Sequence, residues 1–171
     1  PTVPRLNDED YLGTTLNAFE RELFPAESML SNAIAIFVDR RNPLPGMTLE
    51  QVDAVFSETQ FCGSNTAITN WSQLGVDDIG YRSPIRLYGR NSVSGTYGLF
   101  KVMALCDGDF KNTVNEQPGS ASVVLSVASG TGAIGYAAYG YKTAGVRALP
   151  LGESLDSLIP LLILNELVFA Q

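Results

Sequence analysis

The chain has 171 residues, 45% of them hydrophobic, which is enough to pack the core of one domain or slightly more. Its 11 Lys and Arg residues against 18 Asp and Glu residues give a net charge of -7, which argues against nucleic acid or an anionic membrane surface as a partner. The sequence contains no histidine, and this excludes Ser-His-Asp catalysis, Cys-His catalysis and His-ligated metal sites.

The first third of the chain predicts a helix, a buried strand and a second helix. The first helix ends before Pro25, and its apolar residues recur at helical spacing: Tyr11, Leu12, Leu16, Phe19 and Leu23. The nearly continuous apolar run at residues 33–38 is typical of a buried strand in an α/β sheet. A turn follows at residues 42–46, and Thr48 with Gln51 forms a capping-box pattern at the start of the second helix. The inner face of that helix is predicted to contain Leu49, Val52, Val55 and Phe56.

The middle third begins with a loop-rich stretch at residues 57–80. In it, Trp71 is predicted to pack a loop onto the body of the protein rather than to serve as a ligand platform. A strand at residues 85–88 then leads to a helix capped by Ser94. The apolar positions of this helix are predicted to be Leu99, Val102, Met103 and Cys106. Residues 107–119 are rich in turn-forming residues.

The last third predicts one helix and two strands. Ser120 opens the helix, and Gly130 lies just past its end. Its inner face is predicted to contain Val123, Val124 and Val127. Strands at residues 133–136 and 146–151 complete an alternation that predicts an α/β fold with a mixed sheet. Residues 153–171 fit either a strand or a helix, and no apolar run reaches the roughly 18 residues of a membrane span, so no membrane insertion is expected.

The segment from Arg90 to Thr96 combines the parts of an oxyanion receptor. Ser94 caps the following helix, whose first free N–H groups point outward at the positive end of the helix dipole. Gly95 lets a ligand approach the backbone, while the hydroxyls of Ser94 and Thr96 add hydrogen-bond donors. Arg90 supplies a bidentate guanidinium. Taken alone, these residues also fit a plain helix cap beside an arginine that pairs with a surface acid.

Cys62 and Cys106 can form one disulfide, one half of a zinc site or two separate buried thiols. Without a second Cys pair or any His, zinc is disfavoured, whereas a disulfide suits an extracytoplasmic protein. Closing the long loop between the two residues would stabilise the fold by about 4 kcal/mol in the chain-entropy model. Residues 130–135 match the dinucleotide pattern G-x-G-x-x-G, but a helix is predicted before them and a strand after them, the reverse of what that motif requires. A plain helix-to-strand turn is therefore expected there.

The chain resembles the PstS-like family of periplasmic phosphate-binding proteins. Segments that recur in the same order in that family are residues 33–38, 42–44, 48–51, 55–57, 69–71 and 132–136, together with the loop at 90–96. The resemblance implies a lobe of the type II periplasmic-binding-protein kind, with a mixed sheet flanked by helices. It also implies an incomplete two-lobed architecture: residues 1–28 as a remnant of the first lobe with one helix, 29–152 as the second lobe, and 153–171 as a C-terminal return segment.

The resemblance further implies a function. Arg90, Ser94, Gly95 and Thr96 would contact inorganic phosphate or a similar oxyanion in the cleft between two lobes. A closed form would pass the anion to the permease of an ABC transporter. The family is not enzymatic, uses no cofactor or metal, and works in the periplasm or outside the cell. Since the numbered chain opens on Pro1 without a signal peptide, it is expected to start after processing or to be a truncated piece of a longer protein.

Two features depart from the family pattern. Many relatives have an acid between the arginine and the Ser-Gly-Thr sequence, whereas Asn91, Ser92 and Val93 offer none. In the family, the carboxylate that accepts the proton of hydrogen phosphate comes from a part of the first lobe that has no match in this chain, so the sequence does not predict whether phosphate or sulfate is preferred. The alternative function is a phosphate sensor, scaffold or secreted interaction domain with a vestigial anion site. An enzyme with Ser94 as nucleophile and Lys101 or the arginine assisting is disfavoured, because there is no His and no Ser-x-x-Lys spacing.

Overall fold

A five-stranded mixed sheet forms the centre of the computed structural model, which describes residues 33–154. The strands are β1 (Ile34–Asp39), β2 (Met47–Thr48), β3 (Arg86–Arg90), β4 (Asn115–Gln117), β5 (Ala133–Ala138), β6 (Val146–Ala148) and β7 (Leu151–Gly152). The large sheet has the order β4-β3-β5-β1-β6, and β2 pairs with β7 in a separate parallel ribbon. Strand β3 runs parallel to β4 and β5, while β1 is antiparallel to β5 and β6. The predicted mixed sheet is confirmed.

Within residues 33–154, three α-helices cover the two faces of this sheet: α1 (Leu49–Phe56), α2 (Gly95–Ala104) and α3 (Ser120–Ala128). Helices α1 and α2 share one core cluster with Ile36, Ile134 and Tyr136. Helix α3 packs on the opposite face, where Val123, Val124 and Val127 contact Phe37 and Ala137. Short 3₁₀ turns lie at Trp71–Leu74, Ile79–Tyr81 and Tyr139–Tyr141. The fold is therefore a sheet with helices on both faces, as an α/β lobe requires.

Local sequence signals predicted several features correctly. Thr48 and Gln51 form the reciprocal capping box that begins α1. Trp71 is fully buried, and its indole N–H donates to the Gly132 carbonyl oxygen at 3.1 Å, so it packs the loop onto the body as predicted. Residues 130–135 do follow helix α3 and run into strand β5, the reverse of the strand-to-helix order that the dinucleotide motif requires.

The predicted apolar face of α2 is partly wrong. Val102 is 57% exposed, and Cys106 lies beyond the end of the helix, which is Ala104. The fully buried residues of α2 are instead Phe100 and Ala104, one helical turn apart. Aromatic stacking sets this face, because the Phe100 ring lies 4.0 Å from the Tyr136 ring, centroid to centroid, with an interplanar angle of 5°.

Two strand predictions also need correction. Strand β4 was not predicted, because Asn115–Gln117 is short and polar and lies at the edge of the sheet. The predicted strand at 146–151 is divided into β6 and β7, since Pro150 has no N–H to donate to a ladder, while its carbonyl oxygen accepts from the Met47 N–H. The helix predicted before Pro25 and residues 155–171 lie outside the described residues.

Candidate anion-binding site

The carboxyl ends of three parallel strands meet at one edge of the sheet. Arg90 ends β3 and pairs in register with Gln117, which ends β4, and β5 ends beside them at Ala138. Helix α2 begins shortly after β3, and helix α3 begins shortly after β4, so both helix N-termini face this edge. Ligands of open α/β sheets bind at the carboxyl ends of the strands, where helix N-termini also attract anions.

Ser94 caps helix α2 as predicted. Its Oγ accepts hydrogen bonds from the backbone N–H of Thr96 at 3.1 Å and of Tyr97 at 3.4 Å. These bonds use the Ser94 oxygen as an acceptor, which leaves its O–H as a donor. The Thr96 N–H therefore already donates to the helix cap, and a ligand at this point would share it with Ser94.

Gly95, the first residue of α2, is exposed. A β-carbon added there would meet nothing within 4 Å among residues 33–154, and the backbone of Gly95 does not have a left-handed conformation. The described part of the fold therefore does not require glycine at this position. The absence of a side chain leaves the first turn of α2 open to a ligand.

The backbone of Arg90 is fixed by a buried tyrosine. The Tyr136 hydroxyl accepts from the Arg90 N–H at 3.2 Å and donates to the Arg90 carbonyl oxygen at 3.4 Å. Burial raises the pKa of this hydroxyl well above its usual range, so Tyr136 is protonated and able to donate at neutral pH. No local sequence pattern marks this contact, because Tyr136 is distant from Arg90 in the chain.

The guanidinium of Arg90 lies at the start of α3. Its Nη1 donates to the Ser120 Oγ at 3.3 Å, and its Nη2 donates to the Pro118 carbonyl oxygen at 3.4 Å. Its Nε is buried without a hydrogen-bond partner among the described residues. The ion pairs found within residues 33–154 join Arg41 to Asp39 and Lys101 to two acids, and Arg90 takes part in none of them.

The structure thus places the predicted site residues on two neighbouring helix starts. Ser94, Gly95 and Thr96 begin α2, whereas the hydrogen bonds of the Arg90 head group are to residues at the start of α3. Sequence reasoning identified Ser120 only as the opening of a helix and missed its contact with Arg90. No local pattern marks such a contact, since it depends on the pairing of β3 with its neighbours.

A cleft of about 530 Å³ opens beside Arg90. Its other lining residues are Tyr97, Asp109, Phe110, Lys111, Asn112, Val114, Asn115 and Glu116. Lys111 donates from Nζ to the Ile68 carbonyl oxygen at 2.9 Å, and burial lowers the pKa of this amine. Both signs of charge therefore border the cleft.

Cys62 and Cys106 form a disulfide, which confirms the first of the three alternatives for this pair. It links the loop after α1 to the segment that follows α2. Asp53 supports the loop, because its Oδ2 accepts from the Cys62 N–H at 3.0 Å, and burial raises the pKa of this carboxyl. Within residues 33–154, no group of three or more His, Cys, Asp or Glu side chains is placed to hold a metal ion, and no helix is long and apolar enough to cross a bilayer.

Comparison with known proteins relates this geometry to a family. Residues 7–158 match the family model described as the PBP superfamily domain. Over 141 residues the chain is 50% identical to the Phosphate-binding protein PstS of two Pseudomonas aeruginosa strains, an alignment that covers 81% of this chain and 44% of each relative. The chain therefore spans less than half the length of these curated relatives.

Solved structures resemble the chain as well. One is a protein of Clostridium perfringens assigned as the substrate-binding protein of a phosphate ABC transporter, with bound phosphate; the identity is 26%, the TM-score 0.57, and the match covers 70% of this chain and 44% of that one. Another is an ABC-type phosphate transport receptor from Vibrio cholerae, with 23% identity, a TM-score of 0.60, and coverage of 75% and 48%. At 23% identity, the likeness to the Vibrio cholerae protein shows a shared fold alone.

Proposed function

We propose that this chain, which belongs to the PBP superfamily, captures inorganic phosphate outside the cytoplasm and delivers it to the permease of an ABC transporter. Its sequence likeness to phosphate-binding proteins supports this ligand. The disulfide between Cys62 and Cys106 supports a periplasmic or secreted location, because such bonds persist in oxidising compartments. The proposed role is binding and not catalysis.

The observation that carries the proposal is the uncompensated charge of Arg90. Its guanidinium is partly buried at the edge where two helices begin, and it has no carboxylate partner among residues 33–154. Helix N-termini carry partial positive charge, so they add to this positive potential instead of neutralising it. A desolvated cation in such a place is costly unless an anion joins it. An oxyanion bound at this edge would supply the missing partner.

In this proposal each of the four predicted residues makes a different contact with the anion. Arg90 provides charge-assisted hydrogen bonds, the Ser94 and Thr96 hydroxyls donate, and the backbone at Gly95 and Thr96 contributes N–H groups at the start of α2. Residues 29–152 act as the second lobe of a two-lobed protein, with 1–28 belonging to the first lobe and 153–171 returning toward it. Ligand contacts from both lobes favour a closed form that the permease recognises.

Isothermal titration calorimetry on the longest natural form of the protein tests this proposal, with phosphate as the ligand and sulfate as the comparison. Heat with phosphate is expected, together with a large loss of affinity in Arg90→Gln. Arg86→Gln is the matched control, because Arg86 lies on the same strand and is exposed. No heat with either anion would overturn the proposal and favour the interaction domain with a vestigial site. Equal affinity for sulfate would change the proposed ligand from phosphate to oxyanions in general.

A further inference from the structure

Ser120 is the one side chain within residues 33–154 that donates or accepts a hydrogen bond with the Arg90 head group. It is 5% exposed, so it cannot offer much surface to a ligand itself. Its Oγ accepts from Arg90 Nη1 at 3.3 Å and from the Ala138 N–H at 3.1 Å. One buried oxygen therefore joins the ends of β3 and β5 to the first residue of α3.

We propose that Ser120 is a positioning residue for the anion site, one that holds the Arg90 guanidinium in a fixed place and so raises the affinity for phosphate without touching it. This inference rests on the proposed function. The Pro118 carbonyl oxygen holds the second terminal nitrogen of the same guanidinium, so the head group is held at two points.

Electrostatic repulsion and side-chain entropy explain why the Arg90 guanidinium needs hydrogen bonds that fix its position. A cation at the start of α3 is repelled by the positive end of the helix dipole. A long arginine side chain would also lose considerable rotamer entropy if a ligand alone had to fix it. Two hydrogen bonds that prepare the guanidinium in advance reduce that loss at the moment of binding. Both partners are neutral oxygens, so they orient Arg90 while leaving its charge available to an anion.

Calorimetric titration of phosphate into the longest natural form of the protein and its Ser120→Ala variant tests the inference. The variant is expected to bind about tenfold more weakly, which corresponds to one hydrogen bond to a charged group. Ser120→Thr keeps the hydroxyl and is expected to stay within about threefold of the unaltered protein, well short of that loss. Ser122→Ala is the matched control, because its hydroxyl bonds to Gly119 at the same helix start and does not reach Arg90. Thermal melting of each variant separates a loss of folding from a loss of affinity.

A double-mutant cycle with Arg90→Lys distinguishes positioning from a general effect on the fold. The lysine keeps the charge, so binding stays measurable, but it lacks the terminal nitrogen pair that Ser120 and Pro118 hold. In this background Ser120→Ala is expected to change the dissociation constant by less than about twofold. If the alanine variant does not fold, Ser120→Gly takes its place in the cycle.

The possible results distinguish a failure of the positioning role of Ser120 from a failure of the proposed function. Unchanged affinity in Ser120→Ala, an equal loss in Ser122→Ala, or the same tenfold loss in the Arg90→Lys background would overturn the positioning role while leaving the proposed function intact. Absence of phosphate binding by the unaltered protein would instead overturn the proposed function, and this inference with it.

Discussion

Gly95→Ala is expected to affect the stability of the fold and the affinity for a ligand at the start of α2 in different ways. The added methyl group meets nothing within 4 Å among residues 33–154, and the backbone conformation of Gly95 is one that alanine adopts. Replacing glycine by alanine in such a place reduces the entropy of the unfolded chain and raises stability by about 0.4–1 kcal/mol. The thermal midpoint should therefore stay the same or rise slightly.

The affinity of Gly95→Ala for phosphate should fall. The methyl group would stand where an oxyanion must approach the N–H groups of the first turn of α2. Losing one hydrogen bond to a charged group costs about 1.5–3 kcal/mol. This corresponds to a rise in the dissociation constant of about 10-fold to 150-fold. Calorimetry with phosphate measures the affinity, and circular dichroism melting of the same samples measures the stability.

Gly98→Ala is the matched control for this variant. Gly98 lies in the same helix, is exposed, and also has nothing within 4 Å of an added β-carbon among the described residues. It should gain stability by a similar amount while phosphate affinity stays constant. Unchanged affinity in Gly95→Ala, with both variants folded, would refute a phosphate site at the start of α2.

Two further predictions concern stability. The disulfide between Cys62 and Cys106 spans 44 residues, so replacing both by Ser should lower the free energy of unfolding by about 4 kcal/mol in urea denaturation; no change in the midpoint would contradict this. The hydrogen bond from the Arg41 side chain holds the pKa of Asp39 below its usual value, so its contribution to stability is present above about pH 4 and is lost as the pH falls through the lowered pKa. Asp39→Asn should therefore be less stable at neutral pH and lose less stability on acidification, and melting curves with the same pH slope in both proteins would count against it.

The sequence predicted the parts of the site that depend on near neighbours. Ser94 caps its own helix, and the valines of α3 follow from helical spacing, so both were found from local pattern. The partners of Arg90 depend instead on which strands pair, because Ser120 and Tyr136 are brought to it by the β4-β3-β5 order of the sheet. Strand order is a property of the whole sheet and leaves no periodic trace in one segment.

The aromatic core explains how the two ends of the segment at residues 90–96 keep a fixed separation. Gly89 lies directly against the ring of Tyr136, and a β-carbon there would overlap ring atoms. The other contacts of that ring include Phe100, which stacks on it from helix α2 at 4.0 Å. One buried ring therefore contacts both β3, which carries Arg90, and the helix that Ser94 begins.

The packing around this ring is rigid before any ligand arrives, because close-packed interiors do not deform continuously. Rigidity favours affinity, since little freedom remains to be lost on binding. It does not provide a proton acceptor, and Asn91, Ser92 and Val93 add no carboxylate between the arginine and the cap. In the proposed function, selection of hydrogen phosphate over sulfate therefore depends on groups outside residues 33–154, which themselves contribute the positive charge of Arg90 and a fixed geometry.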